Sequence, residues 1–190
     1  MTQNIIENKI FENIDFAATF LSPGIYDCCI FKGCSFNGSD LSGITLSECE
    51  FSGCDMSLVK LHSSVLKDVK FISCKLLGVH FNDCNKLLFS VDFKNCNLDL
   101  ASFNNLKMKG NKFINCSLND ADFTEADLTG AVLNNCNLGR AIFESSILER
   151  ADLTTSYNFL IDPEKNRMKK ARFSSHGIQG LLFKYDIVIE

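Results

Sequence analysis

The stretch "ADFTEADLTGAVL", residues 121–133, repeats itself every five residues: Ala121, Ala126 and Ala131 hold one position, and Phe123, Leu128 and Leu133 another. A period of five fits neither the 3.6 residues of an α-helical turn nor the alternation of a flat strand. On a helix, consecutive large residues would lie about 500° apart and share no face. The frame extends far beyond this stretch. Large apolar centres run from Ile6, Phe11, Phe16 and Leu21 through Phe31, Phe51 and Phe71 to Phe81. After a slip of two residues they resume at Leu88 and run through Phe93, Phe103, Phe113 and Phe123 to Leu153. Two places before most centres stands a small residue, such as Cys34, Ser39, Cys54, Val59, Ser64, Ala101, Cys116, Ala126 or Ala141, and the other three positions are mostly polar. Two residues in five therefore point inward.

A longer period overlies the first. Phe11, Phe31, Phe51 and Phe71 are twenty apart, as are Cys34, Cys54 and Cys74, and "NCNL", "NCSL" and "NCNL" recur at 95, 115 and 135. Identity at four times the unit is what stacking requires if four units make one square coil and coils pair as parallel strands about 4.8 Å apart. Seven of the eleven glycines, including Gly33, Gly53 and Gly130, occupy the second position after a centre, together with Asn13, Asn95, Asn115, Asn135, Asp68 and Asp120. These residue types tolerate the positive φ of tight corners. The expectation is an all-β solenoid with a narrow core of one large and one small side chain per face.

Ten cysteines would suggest disulfides in a small secreted chain. Eight of them share one repeat position, which points instead to reduced, buried thiols acting as small apolar fillers. The start, "MTQNIIENKIFENIDF", has acids among its apolar residues and no basic n-region, so no signal peptide is expected, and cytoplasmic location is the default. No apolar run reaches the roughly 18 residues of a membrane span. The slip lies in "FNDCNKLLF", residues 81–89, where Lys86 falls at a would-be centre. A lysine is not expected unpaired in a dry core, so Asp83, Cys84, Asn85 and Lys86 are expected to bulge outward. Such an irregularity on a rigid scaffold is either a tolerated bulge or a functional loop.

The units "ADFTE", "ADLTG" and "ADLTT" resemble the pentapeptide-repeat family, whose unit is commonly written A(D/N)LXX, and the resemblance covers residues 4–155. It implies a right-handed quadrilateral parallel β-helix, seven to eight coils long at twenty residues each, a rod of roughly 35 Å. The expected division is a repeat domain over 1–155 and a terminal element over 156–190. In that element "ARF" (171–173) restores the repeat twenty residues beyond Ala151. "DP" (Asp162-Pro163) marks a turn or helix start, and Ser174 or Ser175 is a plausible N-cap. Ile178, Leu181, Leu182 and Tyr185 share a helical face, and "DIVIE", with Ile187 and Ile189, reads as a closing strand. An open coil end needs such a cap. The order "ADL", "DP", Asn166 three residues later, "ARF", a helix with "LL" and a final apolar strand is similar to the C-terminus of Qnr-type quinolone-resistance proteins. That resemblance implies a homodimer through this element and binding to type II topoisomerases, DNA gyrase or topoisomerase IV. The chain lacks the long inserted loop of several Qnr members.

No nucleophile–base spacing recurs, His62, His80 and His176 are far apart in the repeat frame, and no phosphate loop, dinucleotide fingerprint or basic groove is present. A non-enzymatic binding protein with no cofactor and no metal is expected, without direct nucleic-acid or membrane binding. Charge alternates in blocks. Residues 1–58 hold eight acids against two lysines and residues 59–118 four acids against nine lysines. In residues 119–152, Asp120, Asp122, Glu125, Asp127, Glu144, Glu149 and Asp152 stand against Arg140 and Arg150. One reading is DNA mimicry, the last acidic block beside a C-terminal dimer centre occupying the basic saddle of a topoisomerase. The lysine-bearing middle has no counterpart in duplex DNA, so a scaffold for an unrelated protein partner stands beside it.

Overall fold

A computed structural model describes residues 4–188. The chain winds into a four-sided parallel β-helix, right-handed as parallel crossovers almost always are. Its faces are taken in the order the chain meets them. The first face begins with β1 (Ile5–Glu7), β3 (Ile25–Asp27), β5 (Thr45–Ser47) and β7 (Val65–Lys67), paired in register twenty residues apart. The second face is a nine-stranded sheet of β2 (Ile10–Glu12), β4 (Ile30–Lys32), β6 (Glu50–Ser52), β8 (Val69–Ile72), β9 (Val91–Lys94), β10 (Lys112–Ile114), β11 (Val132–Asn134), β12 (Asp152–Leu153) and β13 (Arg172–Phe173). Single bridges such as Asp15↔Ser35↔Asp55↔Lys75 build the third face, and His80↔Ser102↔Asp122↔Ile142 the fourth.

Each centre faces inward because its two flanks alternate outward, giving the buried middle residue seen in β3, β5 and β6. The chain then turns at the second position after the centre in a left-handed residue. Gly33 and Gly53 do this at φ 59° and 63°, and Asn95, Asn115 and Asn135 at 52–55°. Leu58, Leu100 and Arg140 adopt the same conformation, so the coil geometry imposes it even where the residue type disfavours it. The asparagine corners recover part of that strain by bonding along the axis: Asn115 Nδ2 donates to Asn95 Oδ1 and Asn135 Nδ2 to Asn115 Oδ1, each at 3.0 Å.

The interior consists of columns. On the second face the rings of Phe11, Phe31, Phe51, Phe71, Phe93 and Phe113 stack with centroids 4.6–5.3 Å apart. On the fourth, Phe81, Phe103, Phe123 and Phe143 stack at 5.0 Å, and the two columns meet edge to face. Nine of the ten cysteines are buried and all ten are free. The thiols of Cys54, Cys74, Cys96 and Cys136 each donate to a carbonyl one coil back, at 3.3–3.4 Å. Burial pushes the Cys49 and Cys84 thiols up to about 12, which keeps them protonated and inert. Only Cys28 is exposed. A thiol reagent is expected to find one reactive group in the native protein and ten after denaturation without reductant. A denatured count well below ten would mean disulfides.

Three sequence expectations need correction. Leu88 is not a core centre: it is 51% exposed, and Phe89, 7% exposed, takes the inward place against Phe81. Two short 3-10 turns, Phe81–Asp83 and Lys86–Leu88, absorb the two extra residues, and pairing resumes as Val69↔Val91 and Phe71↔Phe93, twenty-two apart. At the C-terminus, residues 186–188 form no strand, and Ile189 lies outside the described residues. The helix there, α2 (Gln179–Leu182), has no side-chain cap. Ser174 instead accepts from Gly177 N at 3.1 Å, capping the turn that leads into it. The first coil holds a further departure: α1 (Phe16–Thr19), capped by Asp15, takes the corner between its third and fourth faces while Phe16 stays buried in phase.

Candidate functional site

The structure distributes the seven acidic candidates over three faces and two corners. Asp122 and Glu144 lie on the fourth face, Asp127 and Glu149 on the first, and Asp152 on the second. Asp120 and Glu125 stand at the corners that flank the fourth face. Five of them have a cation one coil away. Asp120 receives two bonds from Arg140 at 2.6 Å. Asp127 pairs with Lys109 at 3.3 Å, Glu144 with Lys165 at 3.0 Å, Glu149 with Arg167 at 2.7 Å and Asp152 with Arg172 at 2.9 Å. The hydrogen bonds from Arg140 hold the Asp120 carboxyl below the usual range. Exposed pairs of this kind contribute little to stability, so their main effect is to cancel the field that an acidic patch would project.

Several of these aspartates also have a structural task. Asp122, Asp127 and Asp152 each accept from the backbone N–H two residues on, at 2.9–3.1 Å, and Asp127 and Asp152 also accept the hydroxyls of Thr129 and Thr154. Asp40 and Asp55 make the same local turn with Ser42 and Ser57. This is the physical reason for an Asp or Asn just before the centre: its side chain supplies an acceptor that the tight corner otherwise lacks.

The bulge is anchored rather than loose. Asp83 O accepts from Ser63 N at 2.9 Å, Asn85 N donates to Ser64 O at 2.8 Å, and Asn85 Oδ1 accepts from Leu87 N. Cys84 points inward, while Lys86 is exposed and Leu87 is 90% exposed. Removing Lys86 and Leu87 would leave "CNLFS", a regular unit with Leu88 as centre. That deletion exchanges the burial of Phe89 for that of Leu88 and shortens a loop, so thermal stability is expected to change by no more than about 1 kcal/mol. A loss of several kcal/mol in denaturant melts would show that the bulge is needed for folding.

At the far end the cap candidates divide. Leu181 packs against the core, and Leu182 is half-buried. Ile178 (45%), Tyr185 (52%) and Ile187 (55%) are exposed, as is Phe183 (46%), which the helical-face reading passed over. Polar clamps seat the cap. Lys184 Nζ lies 2.7 Å from both Asp162 and Glu164, and Tyr185 OH donates to Glu164 at 2.9 Å. Asn166 stitches the last coil by accepting from Ser146 N and donating to Phe143 O and Asp162 O, all at 2.9 Å. Between cap and coil an open groove of about 810 Å³ is lined by Arg140, Tyr157, Leu160, His176 and Gln179. Among the described residues no three His, Cys, Asp or Glu side chains converge as a metal site, and no helix is long and apolar enough to cross a membrane.

The model of a "pentapeptide repeat region" matches residues 25–103, and that of "pentapeptide repeats (8 copies)" matches 88–124 and 121–156, so the matches together run from 25 to 156. The chain belongs to the pentapeptide-repeat family. No curated protein matches it by sequence. Two solved structures of QnrB1, a plasmid-mediated fluoroquinolone resistance protein, in trypsin-treated variants, resemble this pentapeptide-repeat rod along almost its whole length. One has a TM-score of 0.72 at 20% identity, covering 98% of this chain and 92% of that one. The other has 0.64 at 16% identity, covering 98% and 100%. At such identities the likeness is one of fold.

Proposed function

We propose that this pentapeptide-repeat chain is a non-enzymatic protein-binding rod that engages a type II topoisomerase, DNA gyrase or topoisomerase IV, and relieves quinolone poisoning of it. The observation that carries the reading is the end-to-end likeness to QnrB1, which spans 98% of this chain, rod and C-terminal cap together. Shape and charge both serve the recognition. The acidic side chains of 119–152 are largely offset by cations one coil away, so a smooth rod with a duplex-like cross-section is what a DNA-holding surface would meet. In the test, a gyrase supercoiling assay with a quinolone is run with and without the protein at micromolar concentration. Protection that weakens with salt is expected, because exposed charges are screened within about 8 Å at physiological ionic strength. Glu125→Lys, Glu144→Lys and Glu149→Lys together spare the turn-forming aspartates and should weaken it more than Lys60→Glu, Lys70→Glu and Lys75→Glu. No protection and no inhibition, with gyrase and topoisomerase IV from the source organism, overturns the reading.

The second reading is a scaffold for an unrelated protein, and one observation favours it: charge alternates along the second face as Glu50, Lys70, Asp92 and Lys112 in consecutive strands, unlike any nucleic acid. Either role is served by a homodimer through the cap. Its exposed Ile178, Phe183 and Ile187 give a partner cap something to bury, while Leu181 plugs the coil of its own chain. Light scattering should give a dimer for the intact chain and a smaller species for Ile178→Asp with Ile187→Asp. A monomer at tens of micromolar for the intact chain rules this contact out.

A further inference from the structure

Along the corner between the third and fourth faces, each coil donates its corner N–H to a carbonyl of the coil ahead. Gly38, Leu58, Gly78, Leu100 and Asp120 bond in this way to Ser57, Leu77, Asp99, Asn119 and Gly139, at 2.8–2.9 Å. The ladder stops at Arg140, because the third face breaks off one coil further on. Tyr157 still bridges to Asn137, but Asn158, at the place of a centre, turns left-handed at φ 61° and is exposed, and Phe159 is buried in its stead. Among the described residues the backbone N–H groups of Arg140, Asn158, Phe159 and Leu160 have no hydrogen-bond partner in the protein. All four residues line the groove between coil and cap. No aspartate or glutamate lines it, although the chain carries 23 of them and residues 119–152 are rich in acids. Its basic side chains are His176 and Arg140, and the Arg140 guanidinium already holds Asp120 at 2.6 Å.

We infer that this groove binds a carboxylate carried by a peptide segment of a protein partner. Backbone N–H groups left unpaired around a concavity make an anion site, and their bonds to an anion are charge-assisted. The lack of lining acids removes the repulsion that a carboxylate would meet elsewhere on these coils. Charge balance selects the class of anion. With Arg140 shared by Asp120, the groove has little net positive charge, so it suits one negative charge better than two. The volume of about 810 Å³ far exceeds a lone ion and leaves room for the chain that bears the carboxylate. Tyr157, 47% exposed, offers that chain a flat ring to lie on. Capture of a peptide carboxylate by clustered backbone N–H groups is a recurrent mode of recognition. The site is distinct from the acidic surface and from the apolar side chains of the cap contact.

Amide NMR signals of the isotope-labelled full chain report on these N–H groups directly. Acetate should move the amide protons of Arg140, Asn158, Phe159 and Leu160 downfield and saturably, while neutral acetamide should not, and the dianion sulfate should bind more weakly than acetate. Two peptides separate the sources of the carboxylate: acetyl-Ala-Ala-Ala with a free terminal carboxylate, and acetyl-Ala-Glu-Ala amide with a side-chain one. One of them should bind at least about tenfold more tightly than acetate, and the tighter one identifies the source. Gln179→Glu sets a carboxylate in the groove and should weaken peptide binding at least about tenfold. Asp120→Asn keeps a residue that tolerates the left-handed corner, frees Arg140, and should tighten binding several-fold. Positions 120 and 179 are not in the core, so unchanged melting curves will show that both variants fold. The inference is overturned if acetate gives no saturable shift at these amides, if acetamide matches it, or if sulfate binds more tightly. It is equally overturned if neither peptide exceeds acetate, if Gln179→Glu binds like its parent, or if Asp120→Asn fails to tighten binding. These titrations contain no topoisomerase, so their outcome is separate from that of the supercoiling assay.

Discussion

Phe103→Ala is expected to destabilise the protein by about 3–5 kcal/mol, a large part of the stability of a domain this size. Phe103 is fully buried, stacked at 5.0 Å on Phe81 below and Phe123 above, with Phe93 and Phe113 edge-on at 5.9 and 5.6 Å. Four neighbouring rings hold it, their backbones locked in the parallel ladder, so the coil has little freedom to collapse into the space left. The cost therefore includes the cavity as well as the lost transfer free energy. In a solenoid each coil contacts only its neighbours, so a mid-rod defect also weakens coupling between the halves. Denaturant melts should show a lower midpoint and a broadened or split transition. A loss under about 1 kcal/mol would mean that the columns relax far more easily than the ladder geometry allows.

Gly180→Ala is expected to destabilise, against the usual sign for that exchange in a helix. In α2 alanine would ordinarily gain about 1 kcal/mol over glycine. Here a Cβ at position 180 would overlap the Phe159 carbonyl oxygen and lie 2.8 Å from Cδ2 of its ring. Phe159 and Ile161 are buried under the cap, and Ile161 N donates to Gly180 O at 2.9 Å. The helix must lift away, break that bond and expose the end of the coil. A net loss of about 1–3 kcal/mol is expected, with faster proteolysis confined to residues beyond 158. Unchanged or raised thermal stability would show that α2 is not seated on the coil. Because the cap also carries the proposed dimer contact, the same variant should lose cap-mediated association even though position 180 is not at that surface.

Much of the molecule was legible from spacing. The inward residues Cys34, Phe36, Ala126 and Leu128, the left-handed corners at Gly33 and Asn115, and the stacking of Phe31 on Phe51 all follow from periods of five and twenty. The acidic surface was less legible because charge was counted along the chain, whereas charges act across it. Arg140 stands twenty residues after Asp120, and Arg172 twenty after Asp152, so reading at the coil interval reveals both pairs. Lys165 and Arg167 reach Glu144 and Glu149 at offsets of twenty-one and eighteen, which no fixed interval contains. The cap was half legible. Its apolar residues were evident, but whether Leu181 or Ile178 turns inward depends on where the coil end lies, and a helix of four residues has too short a period to say.

The sequence by itself determined the coil: which two residues in five are buried, where the chain turns, and that coils stack in register. Those follow from a local rule repeated some thirty times, and each unit needs only its neighbours to satisfy it. Tertiary structure decided what happens wherever the rule is interrupted or side chains leave the core. It chose Phe89 over Leu88 at the slip, because the two 3-10 turns that take up the extra residues leave Leu88 outside and bring Phe89 against Phe81. It neutralised most of the acidic block, because long side chains on adjacent coils can reach one another.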